Sequence, residues 1–197
     1  MRTLLKMQLY FPDPPLSADG IALRKLAADD IGWITQACSD PELSRCIPGM
    51  PYPYSVTDAL AFAEHVARSW ADGSSAIFVI ARAAGGDGCG MLEVHLHAGE
   101  PALASIGYWL RRGARGQGAA TIAVGLASRW AFAELGIERL QLTTAPGNTA
   151  SQRVAGRAGF TREGVLRAAM PTPQGRRDSV MFSLLPGDLD QAAASAG

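Results

Sequence analysis

The sequence lacks an excess of either charge: 18 basic side chains meet 18 acidic ones, for a formal net charge of zero. A nucleic-acid binder ordinarily carries a basic surplus, so this balance argues against DNA or RNA as a partner. Cysteine is scarce and odd in number: Cys38, Cys46 and Cys89, with no CxxC spacing. That argues against a disulfide framework and gives no zinc motif; the expectation is small buried hydrophobes in a reducing cytosol, and no metal. No apolar run approaches the ~20 residues that a membrane helix needs. The start, Met1-Arg2-Thr3-Leu4-Leu5-Lys6, lacks the continuous apolar stretch of a signal peptide. A soluble, cytoplasmic protein without a membrane partner is expected.

What is present is material for a core. Of 197 residues 48% are hydrophobic, which suits a single domain over residues 1–197. Residues 1–19, Pro-rich toward their end, read as an irregular arm, and 191–197, rich in Ala and Ser, as a flexible tail.

Between these ends strand-like and helix-like segments alternate. Ile21–Arg24 reads as a short strand, and Asp29 or Asp30 as the cap of a helix running to about Cys38. Ser55-Val-Thr-Asp58 resembles a capping box ahead of a helix over Ala59–Trp70. Ala76–Ala81 has the apolar run of a buried strand, and the four glycines of Gly85–Gly90 read as a hairpin turn. Met91–His97 and Ala104–Leu110 follow as strands. Past Gly118 the period changes: Ile122, Leu126 and Trp130 recur every fourth residue, giving a helix with one apolar stripe that ends at Gly136. Arg139–Thr144 reads as a strand, Thr149–Ala158 as a helix and Val180–Leu185 as a last strand. The mixture predicts an α/β sheet with helices on both faces.

Gly107-Tyr-Trp-Leu-Arg-Arg-Gly-Ala-Arg-Gly-Gln-Gly-Ala-Ala120 is the most informative stretch. A strand enters a loop containing Gly113, Gly116 and Gly118, and a helix leaves it. Glycines let successive N–H groups converge, and a helix start adds its unpaired N–H groups and positive dipole end, a combination suited to pyrophosphate. There is no lysine for a P-loop, and Thr121 stands where the dinucleotide fingerprint needs its last glycine. On the loop alone, a flexible turn fits as well.

About thirty residues on, Asn148-Thr-Ala-Ser151 opens a helix that closes at Ala158-Gly159-Phe160. With that pair of motifs the chain resembles the GNAT superfamily of N-acetyltransferases. Arg115-Gly-Gln-Gly118-Ala-Ala120 matches that family's pyrophosphate loop. Leu23-Arg24, Gly107-Tyr108-Trp109-Leu110 and Arg177-Asp178 draw the likeness toward the RimJ/RimL-like subgroup, which acetylates protein α-amines. One departure touches the acceptor: Ser105 stands where the subgroup often has an acidic residue.

The resemblance implies a mixed, mostly antiparallel, twisted sheet of about seven strands, in which a splayed strand pair holds coenzyme A. It implies acetyl-CoA as co-substrate, bound by Tyr108, Trp109, Leu110, Arg115, Gly116, Gln117, Gly118, Ala119, Ala120, Asn148, Ser151 and Arg157. A surface role for Arg157 fits equally. An N–H near Trp109 or Leu110 would hold the oxyanion, and Asn148 the pantetheine amides. The likeness also carries a homodimer as an expectation.

For the chemistry, Glu93, His95 and His97 share one strand face while Leu92, Val94 and Leu96 take the other. Glu93 is the candidate base and Ser151 the candidate acid, with helix capping as Ser151's plainer role. His95 and His97 read as a solvent-facing polar surface. Ile47–Tyr54, rich in proline and tyrosine, reads either as an acceptor-site loop or as packing. An α-amine of pKa ~8 is roughly a tenth neutral at pH 7, a penalty of about 1.4 kcal/mol, against about 4.6 kcal/mol for a lysine of pKa ~10.4. An α-amine acceptor therefore needs the weaker base. Two alternatives are carried forward: acetylation of a small amine such as a polyamine, amino acid or antibiotic, and a non-catalytic CoA-binding sensor.

Overall fold

The computed structural model describes residues 8–47, 49–172 and 175–189. One sheet of eight strands runs through it, in the order β1-β2-β3-β4-β5-β6-β8-β7. The strands are β1 (Leu16–Ala18), β2 (Ile21–Arg24), β3 (Ser75–Arg82), β4 (Gly88–Leu96), β5 (Leu103–Leu110), β6 (Arg139–Thr144), β7 (Thr161–Thr172) and β8 (Gly175–Leu184). Every neighbouring pair is antiparallel except β5 and β6. The mixed, mostly antiparallel sheet agrees with the expected fold class, with eight strands in place of about seven.

Among the described residues five α-helices flank the sheet: α1 (Asp30–Cys38), α2 (Pro41–Cys46), α3 (Val56–Asp72), α4 (Ala119–Leu135) and α5 (Thr149–Arg157). Strand alternation makes two cores. On one face Leu92 and Val94 of β4 and Phe78 and Ile80 of β3 pack with Val124, Ala127 and Trp130 of α4 and Ala155 of α5. On the other, Ile77, Val79 and Met91 pack with Ile34 of α1 and Val66 of α3. Trp70 reaches from α3 into the first core, where it stacks with Phe11, Phe78 and Trp130 at 5.2–6.2 Å.

Several elements differ from the sequence expectation. The N-terminal arm is not wholly irregular, since Leu16–Ala18 pairs with Ile21–Leu23. The glycines of 85–90 are not all turn: Gly88 and Gly90 lie within β4. The α4 helix buries Ala119, Ala120, Ala123, Val124, Ala127 and Ala131 besides Leu126 and Trp130, whereas Ile122 is only partly covered. Its small residues let the sheet approach closely, so burial exceeds the single stripe expected. The Ser55–Asp58 capping box forms as read. Tyr54, Ile47 and Met50 pack against the second core, while Gly49, Pro51, Tyr52 and Pro53 are exposed, Tyr52 at 60%, so the Pro/Tyr segment is packed at three positions and open at the others. Cys38 and Cys89 are buried free thiols; the Cys46 side chain and the tail 191–197 lie outside the described residues. No helix among the described residues is long and apolar enough to cross a membrane.

The start of α1 is organised differently from the expected cap. Asp29 holds the cap position but its side chain caps nothing. Asp30, 3% exposed, accepts two bonds from the Arg24 guanidinium at 2.7 Å, one from the Ala27 N–H at 2.8 Å and one from the Trp33 indole at 2.7 Å. Burial opposes ionisation of this carboxyl, but the bonds from Arg24, Trp33 and Ala27 outweigh it and hold the pKa below the usual carboxylate range. Its contribution to stability is present above the unfolded value of ~3.9 and is lost as pH falls through the folded one. Asp30→Asn is expected to cost about 2 kcal/mol at pH 7, read from urea midpoints. The deficit should shrink near pH 3; an equal deficit at both pH values would deny the carboxylate its role.

Candidate active site

The site begins where β5 and β6 part. Their parallel pairing covers only Leu103–Ser105 with Arg139–Gln141. Beyond it β5 runs on to Leu110, held by β4, and β6 to Thr144, held by β8. The two strands share no ladder past Ser105 and Gln141, so a gap opens inside the sheet with that last pair at its apex.

One end of the gap leads into the glycine loop. After a 3-10 turn at Arg112–Ala114, Gly116 and Gly118 adopt φ of 76° and 81°, the left-handed region that favours glycine. The α4 helix starts at once, with no side chain capping its first turn. Ala119 and Ala120 are buried, which seats that turn firmly against the sheet. Gln117 braces the loop, accepting from Arg82 at 2.6 Å and donating to the Gly113 carbonyl at 3.0 Å. The Arg115 side chain turns back: Nε donates to the Leu110 carbonyl at 3.0 Å and Nη1 to Glu42 at 2.9 Å. What Arg115 offers an anion at the loop is thus mainly its backbone. With Arg112 it ties the loop to Asp40 and Glu42 at the start of α2.

The opposite wall is α5. Asn148 is its cap, Oδ1 accepting from the Ser151 N–H at 3.0 Å. The capping role considered for Ser151 therefore belongs to Asn148. The Ser151 hydroxyl instead accepts from the Tyr108 phenol at 3.2 Å, across from β5. Burial pushes the Tyr108 pKa up. Arg157 is exposed in the last turn of α5.

The sheet face toward α1 carries the titratable groups. Glu93 pairs with Gly107 of β5 and Ile77 of β3. Its carboxylate accepts from the buried Ser75 hydroxyl at 2.6 Å, and that hydroxyl also meets His95 Nδ1 at 3.0 Å. His97 Nε2 meets the Ser105 hydroxyl at 2.7 Å, and the two imidazoles stand edge to face at 5.3 Å. A Cβ at Gly107 would meet nothing within 4 Å, so the space beside Glu93 is open. Trp109 lies on this same face and packs against Trp33 of α1 at 5.9 Å. The Leu110 side chain is buried on the other face. The arrangement offers an anion cradle and an unpaired strand edge along the gap, and a carboxylate on the α1 side of β4 beside Gly107. That set suits acyl transfer from a long phosphorylated donor.

Against known proteins, a profile of the acetyltransferase (GNAT) domain matches residues 21–161. The chain belongs to the GNAT acetyltransferase family. It is accordingly an acyltransferase. YdaF of Bacillus subtilis, provisionally named a ribosomal N-acetyltransferase, is 35% identical over 97 residues, or 49% of this chain and 53% of that protein. The match thus spans about half the length of that relative. The N-acetyltransferase p20 of Bacillus licheniformis is 28% identical over 170 residues, covering 86% of this chain and 95% of its own. Among solved structures, Mycobacterium smegmatis RimJ in complex with CoA-disulfide superposes with a TM-score of 0.77 at 24% identity, over 86% of this chain and 83% of that one. This GNAT domain thus shares its fold with RimJ.

Three features of the GNAT site escaped the sequence reading. Ser75, two residues after the Gly73 that ends α3, bridges Glu93 and His95; pairing the two strand runs in register would have set it opposite His95. Gly88 and Gly90 are required by close approach, since a Cβ there would overlap the Trp33 ring and the Trp109 carbonyl. The Asp40–Glu42 clamp on Arg112 and Arg115 joins positions about seventy apart, with no local signal.

Proposed function

We propose that this enzyme moves the acetyl group of acetyl-CoA to a primary amine by direct transfer in a ternary complex, and that the amine is a protein or peptide N-terminal α-amine. The observation that carries the reading is the gap between β5 and β6, bounded by the glycine loop and by α5. An extended pantetheine arm fits such a gap, since the free edge of β5 supplies backbone partners there. The α4 start and the N–H groups of Arg115–Ala120 would hold the pyrophosphate. Asn148 commits its Oδ1 to the helix cap and keeps its side-chain NH2 for pantetheine carbonyls. Arg157 would serve the 3′-phosphate.

Bound acetyl-CoA supplies an activated thioester. An N–H of Trp109 or Leu110 would stabilise the charge developing on its carbonyl oxygen. Glu93, facing the open space over Gly107, would take the proton released by the attacking amine. Ser151 would deliver a proton to the departing sulfur. The provisional name of YdaF, and the likeness to RimJ, support a ribosomal or other protein acceptor. Buried free thiols at Cys38 and Cys89 suit a reducing compartment such as the cytosol.

A thiol-release assay tests the proposal. With acetyl-CoA, α-amine peptides are expected to give the highest kcat/KM, above lysine peptides and small amines. Release with small amines alone would move the acceptor to that class. Tight acetyl-CoA binding with no thiol release under any amine would leave a CoA-binding sensor.

A further inference from the structure

We infer that Tyr108 is a positioning residue for the proton that reaches the leaving sulfur: its phenol donates to Ser151 Oγ and so directs the Ser151 hydroxyl hydrogen into the gap between β5 and β6. The inference rests on the proposed acetyl transfer and assigns a task to a residue otherwise credited only with backbone contacts.

Strand alternation places Tyr108 on the α4–α5 side of β5, opposite in facing to Gly107 and Trp109. Its ring packs on the first core, and its hydroxyl spans the mouth of the gap to Ser151, 3.2 Å away. A serine hydroxyl has one hydrogen and two lone pairs and rotates to suit its neighbours. Elsewhere in this protein hydroxyls near helix ends turn onto their own backbone: Thr35 to the Ile31 carbonyl at 2.8 Å, Ser39 to Thr35 at 2.8 Å, and Ser44 to Pro41 at 3.1 Å. Ser151 departs from that habit. Its N–H is taken by Asn148, and its oxygen is taken by Tyr108. Among the described residues the Ser151 hydroxyl donates to no acceptor, so its hydrogen is free to turn toward the gap.

Burial raises the phenol pKa, so Tyr108 keeps its proton at neutral pH and has it available to donate to Ser151 Oγ. The step balances as follows. The amine nitrogen bonds to the carbonyl carbon and gives up a proton to Glu93. The carbon–sulfur bond breaks with its electron pair on sulfur. Sulfur takes the Ser151 proton as Oγ recovers one from water, and Glu93 returns its proton to water.

The test is a four-protein cycle: wild type, Tyr108→Phe, Ser151→Ala and the double variant, assayed with acetyl-CoA and an α-amine peptide. Phenylalanine keeps the packed ring, and melting curves check that each variant is folded. Tyr108→Phe is expected to lower kcat about tenfold, part of the roughly 10²-fold or more that an acid contributes. The KM for acetyl-CoA and the calorimetric Kd for CoA should stay within about twofold, and the double variant should be no slower than Ser151→Ala. Wild-type kcat in Tyr108→Phe overturns the inference, and so does a loss confined to KM and Kd, which would make the bond a strut. A loss that multiplies with that of Ser151→Ala overturns it too. If Ser151→Ala itself keeps full kcat, the acid role of Ser151 fails first and takes this inference with it. Absence of thiol release by the wild type would instead remove the proposed function.

Discussion

Glu93→Gln is expected to lower kcat about 10²-fold at pH 7 with an α-amine peptide, the lower end of what a general base contributes. The substitution is conservative in shape. An amide oxygen still accepts the 2.6 Å bond from Ser75, so the β3–β4 pairing keeps its side-chain bridge. What is lost is a carboxylate facing the open space over Gly107. The loss should shrink with rising pH. If Glu93 also strips the α-ammonium, of pKa ~8, before attack, the amine is mostly neutral by pH 9 without it, and roughly a tenfold part of the deficit disappears. Steady-state rates between pH 6.5 and 9.5 measure both effects. An unchanged rate with an unchanged profile would take the base role away from Glu93 and pass it to water.

The second large effect is on the frame of the site. A Cβ on Gly90 would overlap the Trp109 carbonyl oxygen and lie 2.9 Å from the Leu110 Cα. Both atoms are backbone of β5 where it borders the gap, so no side chain can swing aside. Gly90→Ala should cost about 3 kcal/mol, at the upper end for overpacking. In a chain of this length that lowers Tm by about 10 °C. The acetyl-CoA KM should rise as well, because β5 has to shift at Trp109 and Leu110. Gly107→Ala is the control: a Cβ there meets nothing within 4 Å, and its melting should stay within about 2 °C of wild type. Equal melting of the two variants would show that the close approach at Gly90 is relieved without cost.

The parts of the fold legible in the sequence are those where local chemistry decides. Gly118 leading into α4, Ser55 and Asp58 boxing the start of α3, and the alternation of Leu92, Glu93, Val94 and His95 all carry their conformation in a few neighbouring residues. The β7 strand was not legible. Thr161–Leu166 lie on the rim of the sheet with little burial on either face, so no period of two is imposed on them. The six residues of α2 are too few to show a period, although Asp40 as cap and Pro41 in the first turn mark its start. The candidate site divides in the same way. The loop and Asn148 announce themselves by type and spacing. The parting of β5 from β6 does not, because Ile106–Leu110 has the same pattern whether or not a strand lies beside it. The Tyr108–Ser151 bond joins positions 43 apart and depends on that parting.

The short pairing of β5 with β6 has a consequence for exchange with solvent. Most sheets expose two edges; this one also exposes two inner edges beyond Ser105 and Gln141. Backbone amides of β5 that face the gap have no strand to shield them, although they lie in the middle of an eight-stranded sheet. Deuterium should therefore enter the centre of this protein as readily as its rim, and occupancy of the gap should slow that entry strand by strand, from the apex at Ser105 outward.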